Sequence, residues 1–261
     1  MREEQYIIRN MANVVFNGKK EAERMALFME ESERVLGKSL LILQCDGKSE
    51  ESTYVRLKRE MGERLGVIVG VQFAGGKERL KEMLKDANED DTLDGILVQL
   101  PVIGAEKEEL DQILYSINPD KDVDGLNPKS RFIPAVIRAV ERMVDIFKIS
   151  EDDKVAVVGA NGTLGSRLIR RLKAIDVPAD GFDKGDDLIK LKDFDVVISM
   201  TGVEGLIEGD MVKNGFTGID LGYPKGDFSK EAVEKASLIT PVPGGIGPMT
   251  IVSLFENLAD A

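Results

Sequence analysis

Short apolar runs of strand length alternate with amphipathic stretches of helix length from about residue 20 almost to the end of the chain. A strand that returns parallel to its neighbour needs a long crossover, and a helix is the usual way to supply one. The alternation therefore predicts an α/β chain with parallel sheets. KEAERMALFMEESERVLG (20–37) places Met25, Phe28, Met29 and Leu36 on one helical face. The strand SLLILQ (39–44) follows, then the helix SEESTYVRLKREMGERLG (49–66), with Tyr54, Leu57, Met61 and Leu65 spaced three and four apart. A strand (VIVGVQF, 67–73), a helix (KERLKEMLKDA, 77–87) and a strand (GILVQL, 95–100) complete a first unit.

The polar, turn-rich segment NPDKDVDGLNPKS (118–130) reads as a boundary. Beyond it, Pro134 opens a helix carrying Val136, Val140, Met143, Val144 and Phe147. The strand KVAVVG (154–159), a glycine turn and the helix SRLIRRLKAI (166–175) begin a second unit, with ADGFD, FDVVISM, FTGIDLG and SLIT as further strands. The last helix is placed near Pro248, because proline is favoured at a first helical position. A chain of 261 residues can give each of two such units its own core.

Composition narrows the chemistry. There is no histidine, which removes Ser-His-Asp and Cys-His triads and the common zinc sites, so no metal site is expected. Proton transfers would fall to Lys, Tyr, Asp, Glu or a cofactor. A net charge of −12 argues against nucleic-acid binding, which needs clustered Lys and Arg. One cysteine, Cys45, allows no intramolecular disulfide and suggests a reducing compartment. MREEQYIIRNMANVV lacks the apolar segment of a signal peptide, and no run approaches the roughly 18 apolar residues of a membrane span. The expectation is a cytoplasmic protein.

Several stretches could carry chemistry. VVGANGTLGSRL sets Gly159, Gly162 and Gly165 between an apolar strand and a helix, the context in which a dinucleotide pyrophosphate is held. Its G-x-x-G-x-x-G spacing departs from G-x-G-x-x-G, and an ordinary strand-turn-helix junction is the competing reading. Asp183 ends the next strand, where an acid can meet ribose hydroxyls and repel a 2′-phosphate, which favours NAD; Lys184 beside it blunts the preference.

Tyr54 and Lys58 lie four apart on one helix face, either a catalytic pair built on a desolvated lysine or a half-buried tyrosine beside a solvated one. Gln99 ends GILVQLP, where ligands of open α/β sheets sit, or it caps a loop. DKDVDG (120–125) lacks the glutamate a calcium loop needs at about its twelfth position, and reads by itself as a solvated hinge. TPVPGGIGPMT (240–250) is rich in both proline and glycine, a rigid, bare loop that a flat ligand could approach.

Together, in this order, YVRLK, DGILVQLP, INPDKDVDGLNP, GANGTLG and TPVPGGIGPMT resemble the bifunctional methylenetetrahydrofolate dehydrogenase/methenyltetrahydrofolate cyclohydrolase family. The likeness runs from VVFNGKKEAERM to the last helix. It implies an N-terminal α/β catalytic domain (1–126 plus 248–261) and a Rossmann-type dinucleotide-binding domain (127–247), with a deep cleft between them. It also implies a tetrahydrofolate substrate, NADP or NAD as cofactor, and a homodimer formed through the nucleotide-binding domains.

By the resemblance, Lys58 is catalytic, Tyr54 packs on the folate and Gln99 supports the lysine. Asp124 holds the pteridine, while Leu100, Pro101, Pro243, Gly244, Gly245, Gly247 and Pro248 line the substrate site. The turn residues Gly159, Ala160, Asn161, Gly162, Thr163, Leu164 and Gly165 take the cofactor, with Asp183, Thr201 and Gly202. The implied reaction is oxidation of 5,10-methylenetetrahydrofolate to the methenyl form, then hydrolysis to 10-formyltetrahydrofolate.

This chain departs from the family pattern mostly on the cofactor side. G-R-S-x-x-V-G is replaced by GANGTLG, the proline after it is lost near Ser166 and Arg167, and C-H-S-x-T is missing around Asp183 to Asp187. P-C-T-P is reduced to FIPAV, and Glu51 stands where the family has a serine. A cyclohydrolase without dehydrogenase activity, or a non-catalytic folate- or nucleotide-binding protein, are the alternatives. A short-chain dehydrogenase is disfavoured because there the glycine turn precedes the tyrosine, whereas Tyr54 here comes about a hundred residues before Gly159.

Overall fold

The computed structural model describes residues 7–10 and 13–261. In chain order its elements begin with the hairpin β1 (Ile7–Asn10) and β2 (Asn13–Phe16), then α1 (Gly18–Ser32), β3 (Ser39–Gln44), α2 (Thr53–Arg64) and β4 (Ile68–Phe73). Next come α3 (Lys77–Glu89), β5 (Gly95–Gln99), α4 (Lys107–Tyr115), α5 (Ala135–Phe147), β6 (Val155–Val158) and α6 (Thr163–Ala174). The series closes with β7 (Ala179–Phe182), β8 (Val196–Ser199), β9 (Thr217–Asp220), α7 (Lys230–Lys235), β10 (Leu238–Ile239) and α8 (Ile246–Ala259).

Arg24–Ala135 and Ile251–Ala261 form one compact unit. Its sheet is parallel, in the order β4-β3-β5. β3 is central, which is why Leu40, Leu41, Ile42 and Leu43 run apolar without alternation and are all buried. Leu41 and Leu43 join Leu80 and Leu84 of α3 and Ile113 and Leu114 of α4 in the core. On the other face, a side chain at Gly95 would strike Leu40, Val123 and Leu258, so the end of α8 packs closely there. Asn257, also near the end of α8, donates to the carbonyls of Val123 and Ile133 at 2.8 Å each.

The second unit comprises the described residues of Met1–Glu23 together with Val136–Thr250. Its seven-stranded sheet has the order β1-β2-β10-β9-β8-β6-β7. β6 to β10 are parallel and doubly wound, and the order reverses between β6 and β8. The core joins Val158, Phe182, Val197, Phe216, Phe228 and Ile239, with Phe182 and Phe194 meeting edge to face at 5.4 Å.

The compact units divide the chain differently from the expected 1–126 plus 248–261: β2 pairs parallel with β10, so the chain before Glu23 packs with the second sheet. β10 has two residues and would leave β9 nearly bare, and Val14 and Val15 cover that edge. Residues 1–6 and 11–12 of that expected range lie outside the described residues. The compact units divide at Glu23/Arg24, Ala135/Val136 and Thr250/Ile251.

Met25 and Met29 are buried as expected, but Phe28 is 64% exposed within α1, and Leu36 is 62% exposed because α1 ends at Ser32 and Leu36 lies in the turn beyond it. α8 starts at Ile246, with Pro248 third in the helix. The N–H groups of a first turn have no intrahelical partner, so proline is tolerated there as well as at the first position. Among the described residues no helix is long and apolar enough to cross a membrane, and no group of three His, Cys, Asp or Glu is placed to hold a metal ion.

Candidate active site

The small sheet reverses its order between β3 and β5, and the last residues of those strands, Gln44 and Gln99, are register partners. Ligands of open α/β sheets sit at the carboxyl ends beside such a reversal. Gln44 is 1% exposed and fully engaged: its amide donates to Asp46 Oδ1 (2.8 Å) and the Glu50 carbonyl (2.9 Å) and accepts from Ser52 N (2.9 Å). Ser52 in turn caps α2, its Oγ accepting from Val55 N at 3.3 Å. One glutamine thus fixes where α2 starts, and through that where Lys58 points.

Lys58 lies on the buried face of α2 with Val55 and Gly62, and only 6% of it is exposed. Its Nζ donates to Gln99 Oε1 at 3.0 Å. Gln99 Nε2 donates to the Leu100 carbonyl at 2.8 Å, which turns the amide oxygen toward the lysine. Burial holds the Lys58 amine below the ordinary lysine range, and the Asp124 carboxylate partly offsets the shift. Tyr54, one turn earlier, is half-buried, while Leu100 and Pro101 are exposed. On the solvent side Arg59 pairs with Glu51 and Glu63 at 2.7 Å each, so α2 separates a surface charge network from one buried cation.

In DKDVDG the structure distinguishes the aspartates. Asp124 is half-buried, and its charge reaches Lys58. Asp122 is fully buried; its Oδ2 accepts from Asn127 N at 2.7 Å, and Oδ1 is buried without a hydrogen bond. Burial pushes its carboxyl up to about 6, against the pull of the Asn127 N–H and with the Asp124 charge adding to the rise. The segment is therefore an ordered corner of the core and not a solvated hinge.

In the other unit the glycine turn follows β6 at the reversal point. Gly159 has φ +91°, and a Cβ on Gly165 would lie 2.1 Å from the Gly159 carbonyl oxygen, so both positions need glycine. Gly162 is the N-cap of α6 and offers no side chain to its first-turn N–H groups. Asp183 Oδ2 accepts from Asn161 N at 2.7 Å and Oδ1 from Lys184 N at 2.8 Å, so this carboxylate also braces the turn. A cavity of about 370 Å³ beside it is lined by Ala160, Asn161, Ser166, Arg170, Asp183 and Asp186, among others. The bare turn, the uncapped helix start and the adjacent acid fit a dinucleotide.

Thr201 and Gly202 follow β8, one strand across. In TPVPGGIGPMT, Gly244 has φ +103°, and a Cβ on Gly245 would come within 2.6 Å of the Pro241 carbonyl oxygen. A Cβ on Gly18 would overlap the Gly245 carbonyl oxygen. The loop's glycines are thus needed for its own packing and for the start of α1.

Sequence reasoning missed Gln44, although the rule that singled out Gln99, a polar residue ending an apolar strand, applies to it equally. It also missed Asp227, which holds the Thr201 turn from 26 positions away, and Asp220, which holds the loop carrying Asp227.

Two family models match: "Tetrahydrofolate dehydrogenase/cyclohydrolase, catalytic domain" over residues 16–124, and the NAD(P)-binding domain of the same family over residues 134–261. The chain belongs to the tetrahydrofolate dehydrogenase/cyclohydrolase family. It is 34% identical over 242 residues to the bifunctional protein FolD of Staphylococcus aureus, covering 84% of this chain and 83% of that protein. Among solved structures, the bifunctional FolD enzyme of Campylobacter jejuni superposes with a TM-score of 0.82 at 28% identity, covering 94% of this chain and 97% of that one. The Trypanosoma brucei enzyme, solved with NADP and an inhibitor, gives a TM-score of 0.83 at 25% identity, covering 94% and 96%. A Rossmann-type NAD(P)-binding fold and the two-domain α/β architecture follow from these matches.

Proposed function

We propose that this chain oxidises 5,10-methylenetetrahydrofolate to 5,10-methenyltetrahydrofolate with a nicotinamide dinucleotide and hydrolyses the product to 10-formyltetrahydrofolate, with Lys58 as the catalytic group of the hydrolysis. The observation that carries this reading is the buried Lys58 amine held against Gln99 Oε1. A desolvated amine spends more time neutral at a given pH, so it can take the proton from the water that attacks the methenyl carbon. The bond from that carbon to N5 then opens, N5 takes a proton, and the formyl group stays on N10. Gln99 keeps the lysine aimed, and Asp124 limits how far its pKa falls. Tyr54, Leu100, Pro101 and Asp124 are the folate contacts proposed on this unit.

The nicotinamide, when bound, supplies the acceptor for the hydride that leaves the methylene carbon. Residues 159–165 would hold its pyrophosphate on bare backbone and the α6 N-terminus, with Thr201 and Gly202 beside it. Of the two dinucleotides, NAD is the one favoured. Asp183 and Asp186 set two carboxylates against the single guanidinium of Arg170 along the adjacent cavity, and a 2′-phosphate would be repelled.

The deciding experiment follows methylenetetrahydrofolate oxidation with NAD and NADP side by side, and methenyltetrahydrofolate hydrolysis on the same preparation. Higher kcat/KM with NAD is expected, and a clear NADP preference would refute that assignment. Hydrolysis without reduction of either dinucleotide would leave a cyclohydrolase alone. Sedimentation velocity tests the homodimer that the family resemblance implies.

A further inference from the structure

At the carboxyl end of β8, four donors converge on one carboxylate oxygen. Asp227 Oδ2 accepts from Ser199 Oγ at 2.7 Å, Thr201 N at 2.8 Å, Thr201 Oγ1 at 2.9 Å and Gly202 N at 3.3 Å. Asp227 has no exposure, yet it belongs to the loop after β9 and to no strand.

That loop is itself held by a second acid. Asp220, the last residue of β9 and 4% exposed, accepts from Gly222 N (2.8 Å) and Asp227 N (3.1 Å) on Oδ1, and from Phe228 N (3.4 Å) on Oδ2. A Cβ on Gly222 would come 2.6 Å from Asp227 Oδ1, and one on Gly226 would come 2.6 Å from Asp220 Oδ2. The two carboxylates act in series, Asp220 fixing the 222–228 loop and Asp227 fixing the turn at Thr201 and Gly202.

A buried carboxylate is costly unless its oxygens are satisfied, and here only Asp227 Oδ2 is: Oδ1 is buried without a hydrogen bond. Sheet pairing would satisfy β8 and β9 without one. Three of the four donors to Asp227 Oδ2 belong to Thr201 and Gly202, outside the strand ladder. Gly202 has φ +68°, and the turn stands beside the point where the sheet order reverses. Charge-assisted bonds aimed at such a turn preorganise a binding surface.

We infer that Asp227 is a positioning residue for the dinucleotide, holding the Thr201–Gly202 turn in its binding shape. The inference rests on the dehydrogenase reading proposed above. Asp227→Asn tests it, since the amide keeps the shape and one acceptor but loses the charge and turns the other atom into a donor. NADH and NADPH dissociation constants by fluorescence titration, dinucleotide KM, cyclohydrolase rate and Tm are measured on one preparation.

Dinucleotide Kd and KM should rise about tenfold or more, the scale of weakened hydrogen bonds to a charged group, with the cyclohydrolase rate unchanged within about twofold. An unchanged Kd would overturn the inference. So would a parallel fall of both activities with Tm, because Asp227 would then be supporting the fold alone. If Asp227→Asn does not fold, Ser199→Ala is read the same way; it removes one donor, spares the carboxylate and should raise Kd about threefold, and an unchanged Kd there overturns the inference too. A wild type that neither binds nor reduces either dinucleotide would sink the cofactor reading and the inference with it. That outcome differs from a failure confined to the variants.

Discussion

The unit that carries Lys58 and the unit that carries the glycine turn solve the same placement problem with different materials. Both put their candidate site at the carboxyl ends of parallel strands where the sheet order reverses. In the first, the working groups are side chains: a buried amine, an amide aimed at it, and a capping serine set by Gln44. In the second they are largely backbone: Gly159 at positive φ, Gly165 against a carbonyl oxygen, and N–H groups at Asn161, Thr201 and Gly202 tied to carboxylates. A side-chain site keeps its residue types because each brings a particular chemistry. A backbone site keeps only its glycines and braces, since every residue but proline supplies the same N–H. That asymmetry accounts for family departures that gather in GANGTLG while YVRLK and DGILVQLP stay intact.

The largest test of the contrast is Lys58→Met. Loss of a general base should lower methenyltetrahydrofolate hydrolysis by roughly a thousandfold while folate binding persists, and a rate within about tenfold of wild type would break the side-chain half of the comparison. The same variant should also be more stable. The folded pKa of Lys58 lies below its unfolded value, so the native state binds fewer protons between the two. Its penalty is therefore full below the folded pKa and fades as pH rises through the unfolded one. The stability gained by Lys58→Met should accordingly shrink in denaturant titrations as pH approaches about 10.

Gly165→Ala attacks the backbone half. Its Cβ would sit 2.1 Å from the Gly159 carbonyl oxygen, and relieving the overlap must shift the turn. Overpacking of this kind costs about 1–3 kcal/mol, and dinucleotide KM should rise at least tenfold, with hydrolysis much less affected. Equal losses in both activities would blur the division.

Asp122→Asn comes next. The wild-type carboxyl, pushed up to about 6, contributes stability that is present below the unfolded value near 4 and lost as pH rises through 6. The amide mimics the protonated form, so the variant should be about 3 kcal/mol more stable at pH 7.5 and equal to wild type near pH 3.5. A pH-independent difference would show that the shift is not what burial does here.

The smallest effect is expected at Asn161→Ala. Only its backbone N–H is used, toward Asp183 Oδ2, so dinucleotide KM should change less than about twofold. A tenfold change would mean that the cofactor side also depends on side-chain identity.

What could be read from the residues follows the same division. The α/β alternation, the strand SLLILQ and the place of Gln99 at a strand end were visible because they rest on residue type and short spacing, whereas the pairing of Lys58 with Gln99, 41 positions apart, was implied only by the family resemblance. The place of β2 beside β10 was not visible, since that pairing joins segments more than two hundred residues apart. Asp183 was singled out as a ribose ligand, and its bond to the Asn161 N–H adds a bracing part that no spacing rule contains. The pair Asp220 and Asp227 stayed hidden for the same reason, because a brace is defined by what it reaches and not by its neighbours. DKDVDG read as a solvated hinge until the burial of Asp122 and Val123 showed a packed corner.

Asn257 gives that corner a place in time. Its two hydrogen bonds reach back 134 and 124 residues, to Val123 and Ile133. A ribosome adding on the order of ten residues per second makes that stretch in roughly ten seconds. Throughout that interval β3, β4 and β5 can already be paired, while the segment bearing Asp122 and Asp124 still waits for its anchor. The Lys58 site is therefore encoded early and finished late, and a nascent chain halted before residue 251 would carry the lysine without the helix that secures its acidic neighbours.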